Sequence, residues 1–191
     1  MSKIVVFMNL TLDGVMQAPG RPDEDPRGGF EHGGWAMPYA TMEAAEESKA
    51  YSGALLLGRR TYEDFYTVWP NRTDNPFTAV LNNTQKYVAS TTLSEPLSWS
   101  NSTLLKGDAA ETVARLKEEP GKDLVVLGSG ELVQSLMRRN LIDEYVLLIH
   151  PLVLGSGRRL FTDGGAFAAL RLVATSTTTT GVVIATYAAT H

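Results

Sequence analysis

Two stretches of the sequence place a glycine between an apolar run and a helix-forming segment. In the first stretch, residues 54–57 are apolar and end at Gly58, and Arg59, Arg60 and Thr61 follow. This pattern predicts a buried strand that enters the N-terminus of a helix. Such a terminus has unpaired N–H groups and a positive dipole end, and an arginine fork matches a phosphate, so the junction suits an anion. The alternative is that both arginines are solvated surface residues.

The second stretch is a predicted strand over residues 123–127, apolar from residue 124 onward, followed by Gly128, Ser129 and Gly130. A helix is predicted from Glu131 through Leu132 to about residue 140. Its glycines would let backbone N–H groups approach a phosphate closely. The third glycine of the dinucleotide fingerprint is missing, so a simple tight turn stays open as the alternative. Together the two stretches predict a pair of anion-binding junctions.

The composition restricts the kind of protein. The chain has 191 residues, 43% of them hydrophobic and 20% charged, with a formal net charge of −4. These values predict one globular domain over residues 1–191 and no nucleic-acid or membrane partner, which would need a basic excess. Without cysteine there is no thiolate nucleophile, and no histidine pair has metal-ligand spacing, so we expect no metal. The first apolar run is too short for a signal peptide or a membrane span, which makes a cytoplasmic location the default.

Strand-like and helix-like segments alternate along the chain. Strands are predicted at residues 3–8, 54–57, 86–90, 103–105, 123–127 and 145–150. Helices are predicted at 41–51, 62–69, 76–82, 108–119 and 131–140, and a hairpin at 172–180 and 182–188, where the threonine run is read as a half-exposed strand. This alternation favours an α/β fold with a mostly parallel central sheet and an antiparallel C-terminal hairpin at one edge.

An irregular segment, residues 17–34, is rich in glycine, proline and charge. Such a long loop is either disordered or functional. Trp35 closes it with a side chain that would suit the wall of a pocket. Before it, Asp13 is either a cleft-facing group that relays protons or only the turn residue of an Asp-Gly pair with Gly14. His150, beside Pro151 at a strand end, is predicted to be a structural histidine with its hydrogen bonds satisfied.

Three segments together resemble dihydrofolate reductases. Residues 57–63, Leu-Gly-Arg-Arg-Thr-Tyr-Glu, are similar to the Gly-Arg-x-Thr-aromatic-Glu segment of that family. Residues 86–91 resemble its following strand, and residues 125–132 its second glycine junction. Residues 143–161 and the Thr-Leu-Asp-Gly of residues 11–14 look more like the reductase domain of bacterial bifunctional riboflavin-biosynthesis enzymes and its stand-alone relatives. The resemblance implies a dihydrofolate reductase-like three-layer fold.

The resemblance also implies a cofactor, NADPH, and a place for each part of it. The pyrophosphate and 2′-phosphate would be held by Gly58, Arg59, Arg60 and Thr61, with Ser90 and Thr91 against the adenosine ribose phosphate. The second half of the cradle would be Gly128, Ser129, Gly130, Glu131 and Leu132. Residues 10–20 would cover the nicotinamide, and the substrate pocket would include Leu12, Gly14, Trp35 and Glu43.

Two departures from the family bear on the substrate. Glu43 is the one carboxylate near the place of the pterin-binding acid, but the pattern favours an exposed residue at a helix start. Glu131 stands where dihydrofolate reductases often have a basic residue. For a substrate with a ribose phosphate, Arg158 and Arg159 are the nearest cations, unless they are solvated loop residues.

These observations predict an NADPH-dependent reductase that transfers a hydride to a small heterocyclic acceptor, pyrimidine-like or pterin-like. A pyrimidine reductase of riboflavin biosynthesis is one possibility and a dihydrofolate reductase-like enzyme another. The alternatives are a non-catalytic NADP(H)-binding protein of the same fold and a hydrolase that uses the same anion sites. Since relatives of this branch are often dimers, the resemblance also implies a homodimer.

Overall fold

One sheet organises the computed structural model, which describes residues 1–50, 52–75 and 77–190. Its strands are β1 (Ile4–Thr11), β2 (Ala54–Gly58), β3 (Lys86–Ser90), β4 (Ser102–Lys106), β5 (Leu124–Leu127), β6 (Glu144–His150), β7 (Leu170–Thr177) and β8 (Val183–Ala189). The helices are α1 (Met42–Ala50), α2 (Arg59–Val68), α3 (Phe77–Asn83), α4 (Ala109–Glu118) and α5 (Gly130–Met137). The predicted alternation of strands and helices is therefore confirmed.

The strands lie in the order β4-β3-β2-β5-β1-β6-β8-β7. Neighbours from β4 to β6 pair in parallel, whereas β8 pairs antiparallel with both β6 and β7. This arrangement confirms the mostly parallel sheet with an antiparallel hairpin at one edge. The chain leaves the neighbouring strands β2 and β5 in opposite directions, toward β3 and toward β6. Ligands of open α/β sheets bind at such a switch point, beyond the carboxyl ends of the strands.

Helices cover both faces of the sheet because the strand side chains alternate between two apolar clusters. Ile4 and Val6 of β1 face Val113 of α4 and Val133 of α5. The intervening residues of β1 face the other way, where Tyr62 of α2 packs. Continuous apolar strands with helices on both faces are expected of parallel sheets, and the outcome is a three-layer structure.

The long segment after β1 is ordered. Val15, Ala18, Phe30 and Trp35 form a small apolar cluster of their own. The indole N–H of Trp35 donates to the backbone oxygen of Gln17 at 2.7 Å. Short 3-10 turns occur at Arg27–Gly29 and Met37–Tyr39. Of the two alternatives for this loop, disordered or functional, the structure removes the first.

Several boundaries differ from the predicted ones. β1 continues to Thr11 because its last residues pair with the end of β6, and α5 already ends at Met137. The predicted strand over the threonine run is wrong beyond Thr177, because Gly181 donates to the backbone oxygen of Thr178 and closes a turn. The predicted helix end at Tyr51 and helix start at Pro76 lie outside the described residues. In the part of the chain that is described, no helix has the length and apolar character needed to cross a membrane.

Candidate active site

The two glycine junctions lie side by side and are hydrogen-bonded to each other. The backbone N–H of Gly58 donates to Ser129 Oγ at 2.9 Å. In return, Thr61 Oγ1 accepts from Ser129 N at 3.1 Å and from Ser129 Oγ at 2.8 Å. These bonds join the start of α2 to the start of α5, so two positive helix ends open at one place.

Two glycines of the second junction are in close contact with protein atoms. Gly128 has φ 58°, and a Cβ there would lie 3.3 Å from Thr61 Oγ1. A Cβ on Gly130 would overlap the sulfur and methyl of Met16. Gly128 therefore suits its position through its positive φ, whereas at Gly130 only the flexible end of Met16 would have to move.

A cleft of about 1260 Å³ runs across this edge of the sheet. It brings together the residues predicted to bind the cofactor, namely Gly58, Arg59, Arg60, Thr61, Ser90, Thr91, Gly128, Ser129, Gly130, Glu131 and Leu132. The volume exceeds the few hundred to about 1000 Å³ of a site for one small ligand, so a dinucleotide and a second molecule would both have room.

The two arginines of the first junction differ in their partners. Arg59 Nη1 lies 3.2 Å from Glu63 Oε2, one helical turn further along α2. Arg60 is exposed and has no hydrogen bond or ion pair within the described ranges. The charge of Arg60 is therefore more available to an added anion than that of Arg59.

At the third predicted segment, Ser90 Oγ accepts from the backbone N–H groups of Thr92 and Leu93, at 3.1 and 3.0 Å, which orders the turn beside the cleft.

The predicted substrate residues lie outside the lining of this cleft. Leu12 is 65% exposed at the surface, and Trp35 is buried in the loop cluster. Glu43 is exposed and accepts from the Thr179 hydroxyl at 3.2 Å. The backbone oxygen of Gly14 accepts from Leu160 N. Their role in substrate binding stays a prediction.

Asp13 faces a loop and not the cleft. Its Oδ1 accepts from Thr11 Oγ1 at 2.6 Å and from Leu154 N at 3.2 Å, and its Oδ2 accepts from Gly155 N at 2.8 Å. The Thr11 hydroxyl and these backbone N–H groups lower the pKa of Asp13 to about 2. The carboxylate therefore stays charged at neutral pH and ties the turn after β1 to the loop after β6.

Ion pairs made by the two junction helices were missed by sequence reasoning. Arg21 forms a two-pronged ion pair with Asp64 of α2, with Nη2–Oδ1 at 2.6 Å and Nη1–Oδ2 at 3.2 Å. On the opposite side, Arg27 and Arg158 approach Glu131 Oε1 at 3.9 and 3.3 Å. The segment is thereby attached to both junction helices. No local pattern marks these pairs, since the partners are far apart in sequence.

His150 is buried, at 3% exposure, behind the cleft. Its Nε2 lies 2.9 Å from Asn9 Oδ1, and Trp35 and Tyr39 contact the ring edge-to-face, with centroids at 5.1 and 5.5 Å. Its Nδ1 is buried without a hydrogen-bond partner. The prediction of a fully satisfied histidine is therefore wrong for Nδ1, which is buried from solvent and has no donor or acceptor among the described residues. Burial lowers the pKa of His150 to about 4, so the ring is neutral at physiological pH.

The described residues contain no group of three or more histidine, aspartate and glutamate side chains that could hold a metal ion.

Comparisons with known proteins identify the family. The family model of the RibD C-terminal domain matches residues 2–184. The uncharacterized protein YyaP of Bacillus subtilis (strain 168) is 32% identical over 138 residues, which are 70% of this chain and 72% of YyaP. The chain thus belongs to the RibD C-terminal domain family.

Solved structures show the same fold. A putative riboflavin biosynthesis protein from Shewanella sp. PV-4 superposes with a TM-score of 0.68 at 21% identity, over 99% of both chains. Dihydrofolate reductase from Enterococcus faecalis, complexed with NADP(H), superposes with a TM-score of 0.61 at 14% identity, over 99% of this chain and 97% of that one. The dihydrofolate reductase-like fold is confirmed.

Proposed function

We propose that this member of the RibD C-terminal domain family is an NADPH-dependent reductase acting on a small heterocycle. The observation that carries the proposal is the direct bonding of the two junctions through Gly58, Ser129 and Thr61. A dinucleotide has two linked phosphates, and two adjoining helix N-termini at a switch point suit them.

The residues present fit the pyrophosphate of such a cofactor. Gly128 and Gly130 line the cleft without a side chain of their own, which supports close approach by a ligand. Thr61 Oγ1 already accepts two hydrogen bonds from Ser129, so its own proton is left for donation. In this proposal that proton goes to a phosphate oxygen.

The charge at the first junction favours NADPH over NADH. Arg60 lines the cleft without a protein partner among the described residues, whereas Arg59 is paired with Glu63. We assign the 2′-phosphate mainly to Arg60, with Ser90 and Thr91 at the adenosine end of the same edge. The bound cofactor supplies the hydride, and the protein binds and orients the cofactor.

The proton that completes the reduction comes from water in this proposal. With a pKa of about 2, Asp13 carries a proton in only about one molecule in 10⁵ at pH 7, and it is bonded to the Leu154–Gly155 backbone. Asp13 is therefore assigned a positioning role, and the cleft, open to solvent, admits the water.

The end of the cleft near α5 supports an acceptor with negative or hydrogen-bond-accepting groups. Arg27, Arg158 and Arg159 all line it. Glu131 takes up part of the charge of Arg27 and Arg158, and Asp13 pairs with Arg159. The names of the structural relatives refer to riboflavin biosynthesis and dihydrofolate, and we infer a pyrimidine-like or pterin-like acceptor of that general size.

A homodimer is part of the proposal. The edge strand β7 exposes Leu172 and Val173 at 50% and 51%, and Phe167 just before it at 89%. Exposed apolar residues on a sheet edge are commonly covered by a partner. Light scattering on the purified protein should then give twice the mass of one chain.

Titration with NADPH and NADH tests the cofactor assignment. We expect NADPH to bind at least about tenfold more tightly, because the 2′-phosphate gains a charge-assisted hydrogen bond. Arg60→Gln should remove most of that difference, whereas the matched variant Arg59→Gln should remove less of it. If neither dinucleotide binds below about 1 mM, the proposal fails.

Turnover is tested separately, by following NADPH oxidation with dihydrofolate, ribosylaminopyrimidine and quinone acceptors. Tight NADPH binding without oxidation of any kind would favour the second candidate, a non-catalytic NADP(H)-binding protein. The observation favouring that candidate is that Asp13, the predicted acid, faces away from the cleft.

A further inference from the structure

Asn9 lines the cleft at the carboxyl end of the central strand β1. Its side-chain oxygen faces His150 Nε2 at 2.9 Å, and its amide nitrogen makes no hydrogen bond in the described part of the chain. An asparagine amide has two N–H donors, so two donors are free next to the cleft.

The position of the proton on the His150 ring determines whether the oxygen or the nitrogen of the Asn9 amide faces it. If Nδ1 carried the proton, a buried N–H would have no acceptor, since Nδ1 has no partner. Orphaned N–H donors are rarer in proteins than unpaired acceptors. The tautomer with the proton on Nε2 therefore fits best, and Nε2–H donates to Asn9 Oδ1. This leaves the NH₂ group of Asn9 for the cleft.

The surroundings of His150 hold this arrangement in place. Trp35 and Tyr39 pack edge-to-face on the ring and leave it 3% exposed. Because burial lowers the pKa of His150 to about 4, the ring stays a neutral, single donor toward Asn9 over the physiological range. Trp35, which was predicted to be part of the pocket wall, packs against His150 and does not line the cleft itself.

The strand order places a particular part of the cofactor next to Asn9. The predicted adenosine-side residues follow β3, and the phosphate junctions follow β2 and β5. The next strand in the same direction is β1. With about 4.8 Å between strands, a dinucleotide laid along this edge reaches β1 with its nicotinamide.

We propose that Asn9 donates a side-chain hydrogen bond to the carboxamide oxygen of the nicotinamide, and that His150 is the positioning residue that orients it. The inference rests on the proposed function, since it takes NADPH as the ligand. It adds a specificity-determining residue at the reactive end of the cofactor, where neither glycine junction reaches.

The test compares NADPH with 2′-phospho-ADP-ribose, which has the same phosphates and no nicotinamide. Asn9→Ala should bind NADPH about five- to tenfold more weakly, as expected for one lost neutral hydrogen bond, and should bind 2′-phospho-ADP-ribose as the wild type does. Asn9→Asp should lose more, because a carboxylate would face the carboxamide oxygen. His150→Phe, which keeps a ring between Trp35 and Tyr39, should also weaken NADPH alone.

A sulfur analogue sharpens the assignment to the carboxamide oxygen. With thionicotinamide in place of nicotinamide, the acceptor is weaker, so Asn9→Ala should cost less than it does with NADPH. Comparing the two proteins with the two cofactors forms a thermodynamic cycle, which separates this contact from other effects of the substitution. Asn83→Ala, at an exposed asparagine of α3, is the matched control and should change nothing.

The other outcomes overturn the inference. Equal weakening of both ligands by Asn9→Ala would mean a general loss of structure or of phosphate binding. No weakening of either would mean that Asn9 does not contact the nicotinamide. If wild-type protein binds neither ligand, the proposed function itself fails, and that result is distinct because it needs no variant.

Discussion

The two ends of the cleft are built in different ways. The end that we propose to bind phosphate (the phosphate end) consists of two similar units, each a buried strand, a glycine and a helix N-terminus. Three hydrogen bonds among Gly58, Thr61 and Ser129 join the two units. Most of its donors are backbone groups, whose positions follow from the helix start itself.

The other end depends on single side chains from an irregular segment. Gln17 accepts from Trp35 through its backbone and from Arg158 N through its side chain, at 2.7 and 2.9 Å. Asp13 holds the backbone at Gly155, and His150 holds Asn9. The stability of the phosphate end should therefore change little on small substitutions, whereas that of the loop end should fall strongly on the loss of one contact.

The largest effect is expected from Gly157→Ala at the loop end. Gly157 has φ 113°, and a Cβ there would lie 2.7 Å from Phe30 Cε2 and 2.8 Å from Val15 Cγ1. Strain and overpacking in the loop cluster should together lower the free energy of unfolding by about 3 kcal/mol. Urea denaturation followed by tryptophan fluorescence measures this change in the free energy of unfolding.

Gly155→Ala is the matched control for this variant. Gly155 also has a positive φ, 75°, but nothing lies within 4 Å of its Cβ position. Only backbone strain applies, so we expect a loss of about 1 kcal/mol. Equal losses at both glycines would contradict the claim that the loop cluster is tightly packed around Gly157.

A smaller effect, dependent on pH, is expected at His150. The folded pKa of about 4 lies below the ordinary value of 6.5, so the unfolded chain binds more protons between these values. Stability is then lost as the pH falls through this window and not as it rises. Between pH 7 and pH 5 the loss attributable to His150 should be about 2 kcal/mol.

His150→Phe should remove that part of the pH dependence. The measurement is the difference in free energy of unfolding between wild type and variant at pH 7 and at pH 5. His32→Gln replaces an exposed histidine of the irregular segment and should leave the difference unchanged. Parallel pH curves for wild type and His150→Phe would show that His150 is not held neutral in the folded protein.

The sequence allowed the phosphate end to be predicted because its signals are local. An apolar run, a glycine and a polar helix start occur within about ten residues at Gly58 and again at Gly128. The fold class followed from the same alternation. The strand order did not follow from any residue pattern, since it depends on which strands pair over long separations.

The loop end could not be predicted in the same way. Asn9 and His150 are 141 residues apart and meet only because β1 pairs with β6, where Thr11 lies opposite His150. Arg21 and Asp64 are 43 residues apart, and Arg21 lies in a segment without periodicity. Such contacts exist only after the sheet has formed, so Asp13 and Trp35 could be recognised as unusual residues but not given their partners.

The smallest effect is expected at the phosphate end, from Thr61→Val. The substitution removes the oxygen that accepts from Ser129 N and Oγ, and it should cost about 1 kcal/mol of stability. The matched variant is Thr67→Val on the same helix, whose exposed hydroxyl donates to Asp64 O at 2.7 Å. It should have less effect on stability and none on binding.

Binding by Thr61→Val separates the two ends of the cleft directly. Because the Thr61 hydroxyl is assigned to the pyrophosphate, NADPH, NADH and 2′-phospho-ADP-ribose should all weaken by the same factor, about fivefold. Asn9→Ala should instead spare the ligand that has no nicotinamide. If Thr61→Val also spared 2′-phospho-ADP-ribose, the hydroxyl would lie near the nicotinamide, and the cofactor would have to run along the sheet edge in the opposite direction.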